Sequence, residues 1–140
     1  MKNNKKSYID TYETVYPIHL VVANGSAKLE ELSKLYTYSD GKELDDSILD
    51  GVCTTTIAKR KSDGRCISLV KFNHVSEFLS KAKQKDIEAD MVNTYTHEAC
   101  HVVLDTYEFI GEQPSTQYQE TFAYQVGWVA ECIYRTLSKK

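Results

Sequence analysis

The residues best suited to chemistry in this sequence are two histidines and a glutamate in the run His97-Glu98-Ala99-Cys100-His101. Residues four apart on a helix lie one turn apart on the same face, so the two imidazoles can converge on one tetrahedral ion. Glu98 is rotated by about 100° from His97 around the helix axis. Its carboxylate is therefore expected beside the ion, where it can take a proton from a metal-bound water. This HExxH pattern predicts a zinc site on a helix.

Two histidines leave the ligand set incomplete, because a catalytic zinc site usually has three protein ligands. Glu120 follows His101 after 18 intervening residues and lies on a second predicted helix, which can fold back antiparallel on the first. We expect Glu120 to be the third ligand. Asp105 and Glu108 compete for this role but lie on the same helix as the histidines, and Glu112 in the intervening turn is the fallback.

The face of the second helix that carries Glu120 also carries residues at spacings of 4, 7, 11 and 14, namely Tyr124, Gly127, Glu131 and Tyr134. The opposite face is apolar and predicts core packing, through Phe122, Val126, Val129 and Ile133. Glu120 is therefore expected to point at the histidines. Two roles remain open for Tyr124, which are donation to an oxyanion at the metal site and aromatic packing between the helices.

The β-rich elements are predicted in the first half of the chain. Apolar and β-branched residues predict a strand over 15–23, ended by a turn at Asn24-Gly25. Ser26 can cap a helix that runs to about residue 36, and residues 39–50 form an acidic loop. Two further strands, over 52–59 and 65–72, flank Asp63-Gly64, which is a strong hairpin signal.

The second half of the chain is predicted to be helical. A short helix covers residues 75–83, a long one covers 86–109, and a third runs from 115 or 116 to 138. Gly111 and Pro114 end the long helix, and Ser115 can cap the next. The 140 residues fit a single domain, with residues 1–13 as a flexible polar arm. The predicted class is α+β, with an N-terminal antiparallel sheet that includes the hairpin, and C-terminal helices that carry the site.

With these residues in place, the sequence resembles the gluzincin branch of the zincin metallopeptidases, in which HExxH is followed by a glutamate on a later helix. The resemblance implies that His97, His101 and Glu120 bind zinc and that Glu98 is the general base. Residues 86–138 also resemble small zincin-like proteins of phages and prophages. The chain is unlike metzincins, which have a glycine and a further ligand where Leu104 and Tyr107 stand here.

One position departs from the gluzincin pattern. Several gluzincins have an aspartate four residues after the glutamate ligand, and this chain has Tyr124 there. A metal-bound histidine normally donates its other N–H to an acceptor, which fixes its tautomer. Asp90, Asp105 and a backbone carbonyl all remain open as that acceptor.

The resemblance implies a small zincin-like domain that hydrolyses peptide bonds with a zinc-activated water. A peptide or protein substrate would lie along one strand of the predicted hairpin. The alternative is a non-catalytic zinc-binding module of zincin fold with a binding or assembly role, associated with phages. A metal-free interaction domain is a third possibility, but it leaves the positions of Glu98 and Glu120 without an explanation.

Charge and composition narrow the classes of partner. The formal net charge is −3, but the 49 residues from Asp86 to Tyr134 contain nine acids and neither lysine nor arginine. Such a segment is suited to hold a cation and poorly suited to bind a phosphate backbone, so no nucleic-acid partner is expected. We expect no membrane partner either, because no apolar run approaches the length of a bilayer span. Four cysteines without a CxxC pair and the lack of a secretory start predict a cytoplasmic protein with free thiols.

Overall fold

The computed structural model describes residues 6–73 and 84–140, and within these ranges the chain forms five strands and three α-helices. The strands are β1 (Ile9–Tyr12), β2 (His19–Ala23), β3 (Tyr36–Tyr38), β4 (Cys53–Arg60) and β5 (Cys66–Phe72). The helices are α1 (Leu29–Leu35), α2 (Gln84–Ile110) and α3 (Gln119–Leu137). A short 3-10 helix spans Asp46–Leu49, inside the stretch predicted to be a loop. The α+β class is confirmed.

The strands form one sheet in the order β1-β2-β5-β4-β3. The β4–β5 hairpin is confirmed, with Cys53 opposite Phe72 and Lys59 opposite Cys66. Gly64 takes a φ of 72° in its turn, which side chains rarely allow. The prediction of an antiparallel sheet is wrong for the central pair, because β2 and β5 run parallel. Parallel neighbours need a long crossover connection, and here α1, β3 and β4 supply it.

The prediction of a flexible arm over residues 1–13 is wrong for its last part, since Ile9–Tyr12 forms the edge strand β1. Asp10 in this strand accepts a hydrogen bond from Thr136 Oγ1 at 2.9 Å and lies 2.6 Å from Lys139 Nζ. Its sequence does not predict a strand, because an edge strand with polar residues lacks the continuous apolar pattern of a buried strand. Residues 1–5 lie outside the described residues.

Each face of the sheet has its own hydrophobic core. Side chains alternate across a strand, so Leu20 and Val22 of β2 face one side, and Val21 and Ala23 face the other. The first side packs against α2 and α3, through Ala99, Val102, Val103, Val129 and Ile133. The second side packs against α1 and the 3-10 segment, through Leu32, Leu44 and Ile48. The sheet is thus a middle layer, and α2 is held against it on one face.

Helices α2 and α3 pack antiparallel. The rings of Tyr107 and Phe122 are 5.7 Å apart, and those of Tyr95 and Tyr134 are 6.4 Å apart. Val129 and Ile133 are buried and Phe122 and Val126 pack against the same core, which confirms the predicted apolar face of α3. Gly111 ends the long helix with a φ of 75°, as predicted.

Two predicted helix starts are wrong. Helix α3 begins at Gln119 after Tyr118, because the Ser115 hydroxyl instead accepts a hydrogen bond from the Gln117 N–H in a local turn. Helix α1 begins at Leu29 after Lys28, where the Lys28 N–H donates to Glu31 at 2.7 Å. Ser26 is therefore not its cap.

The predicted helix over residues 75–83 lies outside the described residues. Among the helices that are described, none contains a stretch long and apolar enough to span a bilayer.

Candidate metal centre

The two histidines of the HExxH run converge on the outer side of α2. Their Nε2 atoms are 3.1 Å apart and their ring centroids are 4.8 Å apart. Two imidazoles bound to one tetrahedral zinc, with Zn–N distances of about 2.0 to 2.1 Å, would place these atoms about 3.3 to 3.4 Å apart. Both side chains are exposed, so a metal ion can reach them from solvent. The observed spacing fits a shared ion with a shift of only a few tenths of an ångström.

Glu98 is buried, with 7% of its surface exposed, and lies between α2 and the sheet. Its Oε1 is 4.0 Å from His97 Nε2, and its Oε2 accepts a hydrogen bond from the hydroxyl of Thr55 on β4. The carboxylate thus lies next to His97, and its position beside a bound ion stays a prediction. Thr55 holds one carboxylate oxygen and leaves the other next to His97.

The Cys53 thiol, near the Glu98 carboxylate, and the Asp105 carboxyl, near His101, both have raised pKa values. Burial, and then the negative charge of Glu98, raise the pKa of the Cys53 thiol. Burial also raises the pKa of Asp105, and the neighbouring His101 opposes that shift. Burial thus favours the protonated thiol form of Cys53. Asp105, one turn beyond His101, lies close enough to interact with it electrostatically and remains a candidate acceptor for the histidine's second N–H.

The structure does not bring Glu120 to the histidines. In residues 6–73 and 84–140, no group of three or more histidine, cysteine, aspartate or glutamate side chains could hold a metal ion. Because Tyr107 is level with Phe122, Glu120 is level with about residue 109, eight residues beyond His101. At 1.5 Å per residue this is an offset of about 12 Å along α2. The role of Glu120 as third ligand stays a prediction.

The face of α3 that carries Glu120 is open to solvent. Glu120, Gly127, Glu131 and Tyr134 are all exposed, and Tyr124 exposes 75% of its surface. The prediction that this face points at the histidines is therefore wrong, because α3 packs against the core through its apolar face instead. Tyr124 is not an interhelical aromatic, and its proposed role as an oxyanion donor is untested by this arrangement.

The part of β4 next to the glutamate is paired on one side only among the described strands. Strand β3 pairs with β4 only at Ala58–Arg60, so Cys53–Ile57 of β4 has a described strand on one side only. Thr55, which binds Glu98, lies in the middle of this open segment. The contact is not predictable from the sequence, because three successive threonines on a strand do not indicate which of them faces the helix.

Comparisons with protein-family models, with curated proteins and with solved structures find no match to this chain.

Proposed function

We propose that this protein is a zinc-dependent metallopeptidase in which His97 and His101 bind the ion and Glu98 is the general base. The observation that carries the proposal is the 3.1 Å spacing of the two exposed Nε2 atoms, with a buried carboxylate oxygen 4.0 Å from one of them. A pair of solvent-facing histidines with only a structural role would need no such carboxylate.

The chain's own residues account for the proton movements. When bound, zinc supplies Lewis-acid polarisation of a water and of the scissile carbonyl. Glu98 Oε1 would take a proton from the attacking water and deliver it to the leaving amine, while the Thr55 hydroxyl keeps Oε2 in place. Because the carboxylate is shielded from bulk solvent, its charge acts on the water more strongly than an exposed carboxylate would.

The open segment Cys53–Ile57 supports a peptide as the substrate. An extended peptide can add to an unpaired strand edge through backbone hydrogen bonds, largely independently of its sequence. Thr55 ties this segment to Glu98, so a peptide on the edge would pass next to the proposed base. This arrangement favours recognition of the peptide backbone.

The alternative is a zinc-binding module without catalysis, with a binding or assembly role. One observation favours it, because the described residues gather only two of the three protein ligands of a catalytic site. Glu120 remains the predicted third ligand in both cases. Replacing Glu120 therefore tests whether it is a zinc ligand, and does not distinguish a catalytic site from a non-catalytic one.

The comparison of Glu98→Gln with wild type tests the proposal. We expect wild type to bind one zinc per chain and to cleave members of a peptide library, and Glu98→Gln to keep the zinc and lose cleavage at least 100-fold. Glu30→Gln, an exposed glutamate on α1 outside the candidate centre, is the control and should behave as wild type. His97→Ala with His101→Ala should bind no zinc by elemental analysis. Zinc binding without any cleavage by wild type would decide for the binding module.

A further inference from the structure

A cavity of about 560 Å³ lies on the inner side of α2, between α2, α3 and the sheet. Its walls are mainly apolar and come from Leu20, Val102, Val103, Trp128 and Val129. Residues of the loop between β1 and β2 also line it. The volume is that of a site for a small organic molecule.

One residue that lines this cavity has a buried hydroxyl without a hydrogen-bond partner in the described part of the chain. Ser68 on β5 is 1% exposed, lines the cavity, and its Oγ is the only buried side-chain oxygen or nitrogen in the described residues without a hydrogen bond. A buried hydroxyl without a partner is destabilising by about 1 to 3 kcal/mol, so such atoms are rare in folded proteins. A molecule that enters the cavity deeply enough to reach Ser68 Oγ would supply the missing hydrogen-bond partner.

The charges around the cavity restrict the ligand. Among its described lining residues there is no lysine or arginine, and Glu13 is the one formally charged side chain. An anion would lie near this carboxylate without a compensating cation, which is unfavourable in a mainly apolar site. Gln125 at the rim donates to Tyr16 and is already engaged. A neutral ligand with one hydrogen-bonding group fits these surroundings.

The cavity is separate from the candidate metal centre. At about 100° per residue, the lining residues Val102, Val103 and Thr106 lie on roughly the opposite side of α2 from His97 and His101. A molecule in the cavity would therefore not touch the histidines.

We infer that this cavity is a binding site for a small, neutral and mainly apolar molecule with one hydroxyl or carbonyl group, which pairs with Ser68 Oγ. The apolar walls supply the affinity and Ser68 supplies the orientation.

Trp128, the single tryptophan, lines the cavity and reports on its contents. Cyclohexylmethanol and methylcyclohexane are suitable probes, because they differ in one hydroxyl and do not absorb where tryptophan is excited. We expect both to change Trp128 fluorescence saturably in the full-length protein. Ser68→Ala should weaken cyclohexylmethanol binding by about fivefold to tenfold and change methylcyclohexane binding by less than about twofold. Ser62→Ala, in the exposed hairpin turn, should change neither.

Filling the cavity provides a second test. Val103→Phe should abolish binding of both probes, and Thr121→Phe at the exposed rim serves the same purpose if the core variant does not fold. The inference is overturned if neither probe gives a saturable response in wild type. It is also overturned if Ser68→Ala leaves cyclohexylmethanol binding unchanged or the filled variants still bind. Glu98→Gln should bind both probes as wild type does, so these outcomes are independent of peptidase activity.

Discussion

At the scale of single residues, the candidate centre depends on what holds the Glu98 carboxylate. The carboxylate is buried, and the hydroxyl of Thr55 donates to one of its oxygens. A buried charge is costly unless it is hydrogen-bonded, so this contact both stabilises the fold and orients the proposed base.

Thr55→Val removes that hydrogen bond with little change of shape. We expect it to lower the free energy of unfolding by about 1 to 3 kcal/mol and to reduce the rate of peptide cleavage while zinc binding is kept. Thr56→Val is the matched control, because its side chain points to the other face of the sheet, away from Glu98. Denaturant unfolding and zinc analysis of the two variants measure the difference. Equal stabilities would contradict the role assigned to Thr55.

At the scale of elements, β1 and the end of α3 hold each other in place. Thr136 is fully buried and donates from Oγ1 to Asp10 at 2.9 Å. Because its single hydroxyl proton is used there, the Tyr12 hydroxyl must donate to Thr136 across their 2.7 Å contact. These two hydrogen bonds also hold the end of α3, whose apolar face packs against α2, next to β1.

Thr136→Val should break both hydrogen bonds and leave Lys139 as the one side-chain partner of Asp10 among the described residues. We expect a loss of about 1 to 3 kcal/mol in unfolding free energy, together with faster amide exchange in β1, because the edge strand loses its anchor. Thr94→Val is the control, since its hydroxyl donates to the Asp90 carbonyl of its own helix. Unchanged exchange in β1 would show that the strand is held by its backbone pairing alone.

At the scale of the whole molecule, the second core contains a charge that opposes folding. Lys71 on β5 is 2% exposed, and its Nζ donates only to backbone carbonyls among the described residues, those of Asn24 and Phe72. Burial lowers the pKa of Lys71 from 10.5 to about 8, and the nearby Cys53 and Glu31 oppose that shift. The acidic, base-free stretch lies in the other layer, in α2 and α3.

The lowered pKa of Lys71 predicts a pH-dependent stability. Between pH 8 and 10.5 the unfolded chain keeps this proton and the folded chain releases it, so the contribution of Lys71 to the unfolding free energy rises with pH in this window. Lys71→Met should therefore gain stability relative to wild type mainly below pH 8, with a difference that shrinks by about 2 to 3 kcal/mol towards pH 10. The raised pKa values of Tyr36 and Tyr95 act in the opposite direction but are present in both proteins.

Urea unfolding at several pH values between 7 and 10 measures this difference. Lys85→Met, an exposed lysine at the start of α2, is the control and should show no trend. A difference between Lys71→Met and wild type that is constant across this range would contradict the buried-charge interpretation.

The sequence by itself determined the local features. The i, i+4 spacing of His97 and His101 brings their rings together on any helix, and the strand pattern with Asp63-Gly64 predicts the hairpin, because both depend on residues close in the chain. Tertiary structure decided which residues from distant segments meet. The parallel pairing of β2 with β5, the contact of Thr55 with Glu98, and the offset of Glu120 from the histidines all follow from how packed faces align. That alignment is set by the burial of apolar side chains in both cores. These side chains come from distant segments, so no short stretch of sequence specifies the alignment.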